Sequence, residues 1–137
     1  MLSAVAVKQH FFKHNGYIDP EREKLYAGLI WERRNVSLED LGVWDEARGL
    51  PHEWCVGNVL DTVKYIETKG VEGQFNEKIQ SLLRDEPPLV IVVDGRLMRG
   101  REKCREMKWS IDDGCMRTIA HALKGFKEIS CYAGMRK

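Results

Sequence analysis

The chain has 137 residues, which is enough for one globular domain with a core of its own and too few for two. Its 22 Lys and Arg are balanced by 21 Asp and Glu, so the formal net charge of +1 neither demands a nucleic-acid partner nor indicates disorder. No apolar run approaches the length of a membrane span, and the first residues lack the apolar core and cleavage site of a secretory signal.

The spacing of the cysteines indicates whether the protein belongs in a reducing or an oxidising cellular compartment. None of the four follows a C-x-x-C spacing, and they are scattered along the chain as Cys55, Cys104, Cys115 and Cys131. Zinc sites and small disulfide frameworks depend on closer spacings, so the sequence predicts no structural metal and no disulfide scaffold. We expect a cytoplasmic protein that has no membrane partner.

Residues 1–25 read as an N-terminal extension made of two short helical pieces. His10 and His14 are four residues apart and would share a helix face, as a metal-binding pair does. Because no third ligand accompanies them, a solvated helix end is the simpler interpretation. Asn15-Gly16 predicts a turn, and Asp19-Pro20 predicts the start of the second helical piece.

Short strands are predicted at residues 29–31 and 36–38, followed by an acidic loop at 42–51. Amphipathic helices are predicted at 56–68 and 74–84, and their apolar stripes imply packing rather than chemistry.

Pro87-Pro88 ends the second of these helices. The continuous β-branched run at 89–93 then predicts a central, fully buried strand.

Residues 94–108 form an extended basic connection. After the Asp94-Gly95 turn its cations are offset only by Glu102 and Glu106, and they are Arg96, Arg99, Arg101, Lys103, Arg105 and Lys108. Such a segment could track a phosphate backbone or grip an acidic substrate, or its cations could simply face water. It contains no aromatic residue, so stacking on single-stranded nucleic acid is not predicted.

The final stretch predicts a strand at 109–111, a turn, a helix and a second strand at 129–133. Asp113 can cap the helix, and Gly114 allows close approach of the backbone. A helix that opens directly off a strand directs its free N–H groups and its positive dipole end into one space, where Arg117 adds a cation. The candidate phosphate-binding residues are Asp113, Gly114, Cys115, Met116 and Arg117. The same arrangement often serves only to turn the chain.

These residues resemble a known signature. Asp113-Gly114-Cys115-Met116-Arg117, together with Lys124-Gly125-Phe126-Lys127 and Ile129-Ser130-Cys131-Tyr132, is similar to the Asp-Gly-x-His-Arg loop, short helix, Gly and strand of the ParB/sulfiredoxin superfamily. The resemblance implies an α+β domain with a small mixed sheet packed by helices. It also implies that the loop holds a nucleotide phosphate or, in the ParB branch, the DNA backbone.

Two departures from the signature bear on function. Met116 stands where the family usually has His, and Ser130 stands where it usually has Pro. The missing His weakens an expectation of catalysis more than one of binding. Cys115 follows Gly114 as the sulfiredoxin Cys does, but without the His we interpret it as a small residue that fills the first helical turn.

The resemblance extends upstream, where residues 36–41 are similar to the first strand of ParB-like domains. In the free-serine kinase branch, a Glu shortly after this strand is the catalytic base. By position that role falls to Glu46, with Asp45 one step away. A carboxylate acts as a base only within hydrogen-bond reach of the nucleophile, so a plain acidic loop is the alternative.

Three functions follow from this reading. The first is ATP- or ADP-dependent phosphotransfer or hydrolysis, with Mg²⁺ and a nucleotide on residues 113–117. The second is a DNA-binding or nuclease-like module that uses the same loop and the basic connection, although no helix-turn-helix follows the signature. The third is an inactive relative retained for protein interaction. The first two would be lost if the helix began with its amides capped by the protein itself and with Arg117 turned away toward a carboxylate. The acceptor substrate and the oligomeric state are left open.

Overall fold

The computed structural model describes residues 2–43, 57–70, 74–84, 89–97 and 107–137. In these ranges the α-helices are α1 Ala4–Asn15, α2 Pro20–Ala27, α3 Val59–Lys69, α4 Gln74–Leu82 and α5 Cys115–Leu123. The strands are β1 Leu29–Ser37, β2 Leu41–Gly42, β3 Leu89–Asp94, β4 Trp109–Asp113 and β5 Glu128–Arg136. Short 3-10 helices occupy Leu38–Asp40 and Gly95–Leu97. No described helix is both long and apolar enough to cross a lipid bilayer.

The strands form one mixed sheet in the order β1-β5-β3-β4-β2. β5 pairs antiparallel with β1 and parallel with β3, whereas β4 pairs antiparallel with β3 and parallel with β2. The domain is therefore α+β, as expected. The two short strands predicted at 29–31 and 36–38 are in fact one strand, which pairs with β5 along its whole length. The polar residues between them face solvent from a strand at the edge of the sheet.

Helices cover both faces of the sheet. On one face, Val7 and Phe11 of α1 and Tyr26 of α2 pack against Trp31 and neighbouring strand residues. On the other face, α3 and α5 cover a second apolar cluster. β3 supplies both clusters, because its valines at 90 and 92 face one way while Ile91 and Val93 face the other. The predicted central, fully buried strand is thus confirmed.

Local capping sets the ends of several helices. Asn58 and Asp61 form a reciprocal capping box that starts α3. Asp19 accepts a hydrogen bond from the Arg22 amide at the start of α2, with Pro20 in the first turn. α1 is held to the sheet by His10, whose Nε2 donates to the Leu89 carbonyl at 2.9 Å.

Candidate phosphate-binding pocket

Gly114 forms the sharp junction between β4 and α5. Its φ of 103° lies in the left-handed region, and a Cβ there would sit 2.6 Å from Cγ1 of Val90. Glycine is therefore required both by the backbone and by the space available. The predicted order of strand, Asp-Gly turn, helix and strand is confirmed, with the helix beginning at Cys115.

No side chain of the described residues caps the start of α5. Gly114 itself occupies the N-cap position, and the prediction that Asp113 would cap the helix is wrong. The Gly114 carbonyl accepts from the amide of Thr118 at 2.8 Å and from its hydroxyl at 2.7 Å, which closes the first turn. The positive end of the helix dipole is thus not offset by a capping side-chain oxygen.

This helix start opens into a pocket of about 590 Å³. Other elements complete its wall: His14 and Asn15 come from the end of α1, Tyr17 from the following loop, and Lys78 from α4. Arg22 of α2 and Asp112 of β4 also line it. We call this the phosphate pocket. The pocket therefore brings three cationic side chains, one histidine and one asparagine together around the amino end of α5. They are Arg22, Lys78, Arg117, His14 and Asn15.

Both carboxylates of the phosphate pocket are engaged. Asp113 Oδ1 accepts from Asn15 Nδ2 at 3.0 Å, and its Oδ2 accepts from Arg117 Nη2 at 3.0 Å. Asp112 accepts from Arg22 Nε at 2.9 Å and from the Tyr26 hydroxyl, and its side chain is only 6% exposed. We expected the Arg117 guanidinium to have no carboxylate partner, and this expectation is wrong, because Nη2 forms an ion pair with Asp113.

Arg22 and Tyr26 act as fixed partners of Asp112. Arg22 also pairs with Asp19 at 2.8 Å, and its guanidinium lies 4.4 Å from the centre of the Phe11 ring. Burial, reinforced by the neighbouring Asp112 charge, raises the pKa of Tyr26 well above its usual value, so the hydroxyl remains a donor. Arg22 consequently balances a buried charge, and the pocket's adaptable cations are Lys78 and Arg117.

His14 is a third polar group at the pocket wall. Partial burial, followed by the nearby charges of Arg117 and His10, lowers its pKa below the ordinary 6.5, although Asp113 acts in the opposite direction. In the free protein His14 is therefore mainly neutral at pH 7. Sequence reasoning missed His14 as a pocket residue, and nothing in the pattern of α4 distinguishes Lys78 from the other polar residues of that helix.

The predicted phosphate residues all meet at the pocket, but they play different parts. The Met116 side chain is largely buried between α4 and α5, where it packs with Ile79 and Ile119. A methionine at this position therefore contributes to the core. Cys115 is half-buried against the sheet, which fits the predicted packing role.

The other predicted residues are separate from this pocket or lie outside the described ranges. Glu46 and Asp45 fall outside them, as do Arg99, Arg101, Lys103 and Arg105. Arg96 follows β3 and is 70% exposed, and its Nη2 pairs with Asp94 at 2.6 Å.

Comparison of the chain with known proteins finds no matching protein family, no matching characterised protein and no matching solved structure. Functional inference therefore depends on the chemistry of the pocket.

Proposed function

We propose that this domain binds the phosphate groups of a nucleotide, ATP or ADP, in the phosphate pocket. The observation that carries the proposal is the meeting of an uncapped helix start with Arg117 and Lys78 in one cavity of about 590 Å³. Backbone amides and cations at a helix start are a recurrent solution for holding phosphate. The volume lies within the usual range for small-molecule sites.

Binding would add a second anionic partner to Arg117. In the free protein Asp113 holds one guanidinium nitrogen, and the side chain is only partly exposed, so the guanidinium is already oriented beside the pocket. A phosphate placed at the start of α5 would add a second anion to this guanidinium and recruit Lys78. Tyr17, whose ring is half exposed and meets Phe11 edge to face, offers an aromatic surface for the nucleotide base.

Kinship with the ParB/sulfiredoxin superfamily forms part of the same proposal. Its support is the order of strand, Asp-Gly turn, helix and strand around Gly114, within an α+β domain. The departure at position 116 shifts the proposed activity toward binding, because Met116 belongs to the core.

Phosphotransfer or hydrolysis would need a base and, with a nucleotide, Mg²⁺. Among the described pocket residues, Asp112 and Asp113 are already engaged by cations and donors. Of the two, Asp113 has the slightly more exposed side chain, 10% against 6%, so it is the one that would orient a magnesium-bound water. Proton abstraction would fall to Glu46 or Asp45. We therefore limit the proposal to binding.

DNA binding through the same loop ranks second. It depends on the basic connection, of whose cations the structure describes Arg96 and Lys108, and Arg96 is already held by both oxygens of Asp94. Nothing in the described residues extends the phosphate pocket into a track along which a duplex backbone could lie.

Thermal unfolding tests the proposal. At a ligand concentration of about 100 Kd, ATP or ADP with Mg²⁺ would stabilise the domain by about 2.7 kcal/mol. We expect Arg117→Ala to lose most of this gain. Arg33→Ala provides the matched control, since Arg33 is an exposed cation of β1 that does not line the pocket. The proposal fails if neither nucleotide shifts the unfolding of the unmodified protein, or if both variants respond equally.

A further inference from the structure

A second groove lies at the opposite end of β4 from the phosphate pocket. Its volume is about 510 Å³, and Trp109, the first residue of β4, forms part of its floor. Met107 and Met135 complete an apolar floor, while cations stand around the rim. We call this the basic groove. The phosphate pocket meets the other end of the same strand, at Asp112 and Asp113.

Four cations reach the basic groove from four different segments. Arg34 comes from β1, Arg96 from the 3-10 helix after β3, Lys108 from the approach to β4, and Arg136 from the end of β5. Within the described residues, Asp94 is the single carboxylate lining the groove, and Arg96 neutralises it. The neighbouring Arg96 lowers the pKa of Asp94, so this pair persists at neutral pH.

Of the other three cations of the basic groove, only Arg34 forms an ion pair with a described carboxylate. Arg34 Nη2 pairs with Glu32 at 2.6 Å, and its guanidinium lies 5.4 Å from the centre of the Trp109 ring. Lys108 and Arg136 are exposed, and neither forms an ion pair with a described carboxylate. Among the described residues, the groove therefore keeps an excess of positive charge beside an apolar floor.

We propose that the basic groove is a docking site for an acidic polypeptide segment that carries large apolar side chains. The apolar side chains would contact Met107 and Met135, and the carboxylates would meet Lys108, Arg136 and Arg34. Arginine, methionine and aromatic residues are the types enriched in protein interfaces, and arginine clusters commonly recognise acidic motifs.

The same geometry disfavours nucleic acid as the occupant. Trp109 is only 5% exposed and has Arg34 over its ring, so it offers no face on which a base could stack. An apolar floor also gives no favourable contact to a sugar-phosphate chain. The inference does not depend on the phosphate pocket, because no residue lines both sites.

Fluorescence anisotropy with a labelled acidic peptide tests the proposal. The probe is a short peptide in which glutamates flank leucines, and its partner probe has serine in place of every leucine. We expect the leucine peptide to bind, and the serine peptide to bind at least about fivefold more weakly because it buries no apolar surface. The double variant Lys108→Gln/Arg136→Gln should weaken the leucine peptide by about tenfold.

The matched control removes two exposed cations elsewhere, as Lys24→Gln/Arg33→Gln. It lowers the net charge equally and leaves the basic groove intact, so binding should be unchanged. A labelled single-stranded oligonucleotide of similar charge serves as the competing ligand class. The proposal is overturned if the leucine peptide does not bind, if both peptides bind equally, if the oligonucleotide binds more tightly, or if the control variant loses as much affinity as the groove variant.

Discussion

Arg117 Nη2 lies 3.0 Å from Asp113 Oδ2, so the guanidinium assigned to a phosphate already has an anionic partner within its own turn of chain. Asp113 is held from its other side by Asn15, whose amide donates to Oδ1 at 3.0 Å. Asp113 thus does two opposite things. It orients Arg117 beside the phosphate pocket, and its negative charge opposes the binding of any anion there.

Replacing Asp113 by Asn should separate these two effects. The amide keeps the size of the carboxylate and can still accept from Asn15, but the negative charge is lost. We expect sulfate to bind roughly fivefold to tenfold more tightly, a gain of about 1 kcal/mol. Isothermal titration measures the change, with Asp40→Asn as a charge-matched control away from the pocket. Unchanged or weaker sulfate binding in Asp113→Asn would argue against an anion at Arg117.

Gly114→Ala should be strongly destabilising. A side chain at a φ of 103° is strained, and its Cβ would lie 2.6 Å from Val90 in the core. Together these effects should cost about 2–4 kcal/mol of unfolding free energy. Urea denaturation provides the measurement.

Gly16→Ala is the matched control for this substitution. Gly16 also has a positive φ, of 76°, but no atom lies within 4 Å of a Cβ placed there. Only the backbone cost of about 1 kcal/mol is therefore expected. Equal losses in the two variants would mean that the close packing of Gly114 against Val90 contributes nothing.

Anion binding should depend on pH through His14. Because the pKa of His14 is lowered in the free protein, the imidazole is neutral at pH 7, and a nearby anion would raise that pKa and draw in a proton. The affinity for sulfate should therefore rise as the pH falls through the pKa of the bound state, and it should level off below the pKa of the free state. Sulfate is suitable because it does not itself titrate in this range.

The measurement is the sulfate dissociation constant between about pH 8 and pH 5, the range in which histidine titrates. His14→Gln should flatten the profile. His10→Gln should keep the pH dependence but move it to higher pH, because His10 does not line the pocket and is one of the groups that lower the pKa of His14. The groups that act on His14 are Arg117, His10, Asp113 and Lys13, and Arg22, Lys78 and Asp112 share the pocket wall. If the sulfate affinity of His14→Gln still depends on pH, another of these groups takes up the proton when sulfate binds.

Tyr26→Phe should destabilise the domain, and because phenylalanine is no larger than tyrosine, the loss would not come from a steric clash. The substitution removes the hydroxyl that donates to Asp112 and leaves this buried carboxylate with Arg22 as its remaining described side-chain donor. Loss of a hydrogen bond to a buried charged group costs about 1.5–3 kcal/mol. Chemical denaturation at pH 7 measures it, and Tyr65→Phe on α3 is the control. Equal stability of Tyr26→Phe and the unmodified protein would show that Asp112 is satisfied without the phenol.

The parts of the fold that sequence predicted well are those set by neighbours along the chain. The Asp-Gly turn, the Asp19-Pro20 helix start and the β-branched strand at 89–93 all depend on local preferences and all appear in the structure. The errors come from contacts between distant residues. Asp113 was expected to cap α5, but Asn15 and Arg117 hold its carboxylate, and Asn15 is 98 positions away.

The same limit explains the missing members of the phosphate pocket. His14 and Lys78 lie on helices whose sequence patterns describe only which face is buried. Their convergence on Gly114 depends on how α1 and α4 pack, which no spacing along the chain encodes. The polar residues inside β1 led to the wrong prediction of two separate strands for a related reason. An edge strand can carry charged residues and still pair along its whole length with its neighbour.

The position of β5 in the sheet has a consequence for biosynthesis. β5 is the last of the described strands to be translated, yet it lies between β1 and β3. While it is still inside the ribosome, no described strand joins β1 to β3, and the backbone N–H and C=O groups with which each of them pairs with β5 lack that partner. We therefore expect the sheet to close only after residues 128–136 emerge, which makes the joining of β1 to β3 a late step of folding.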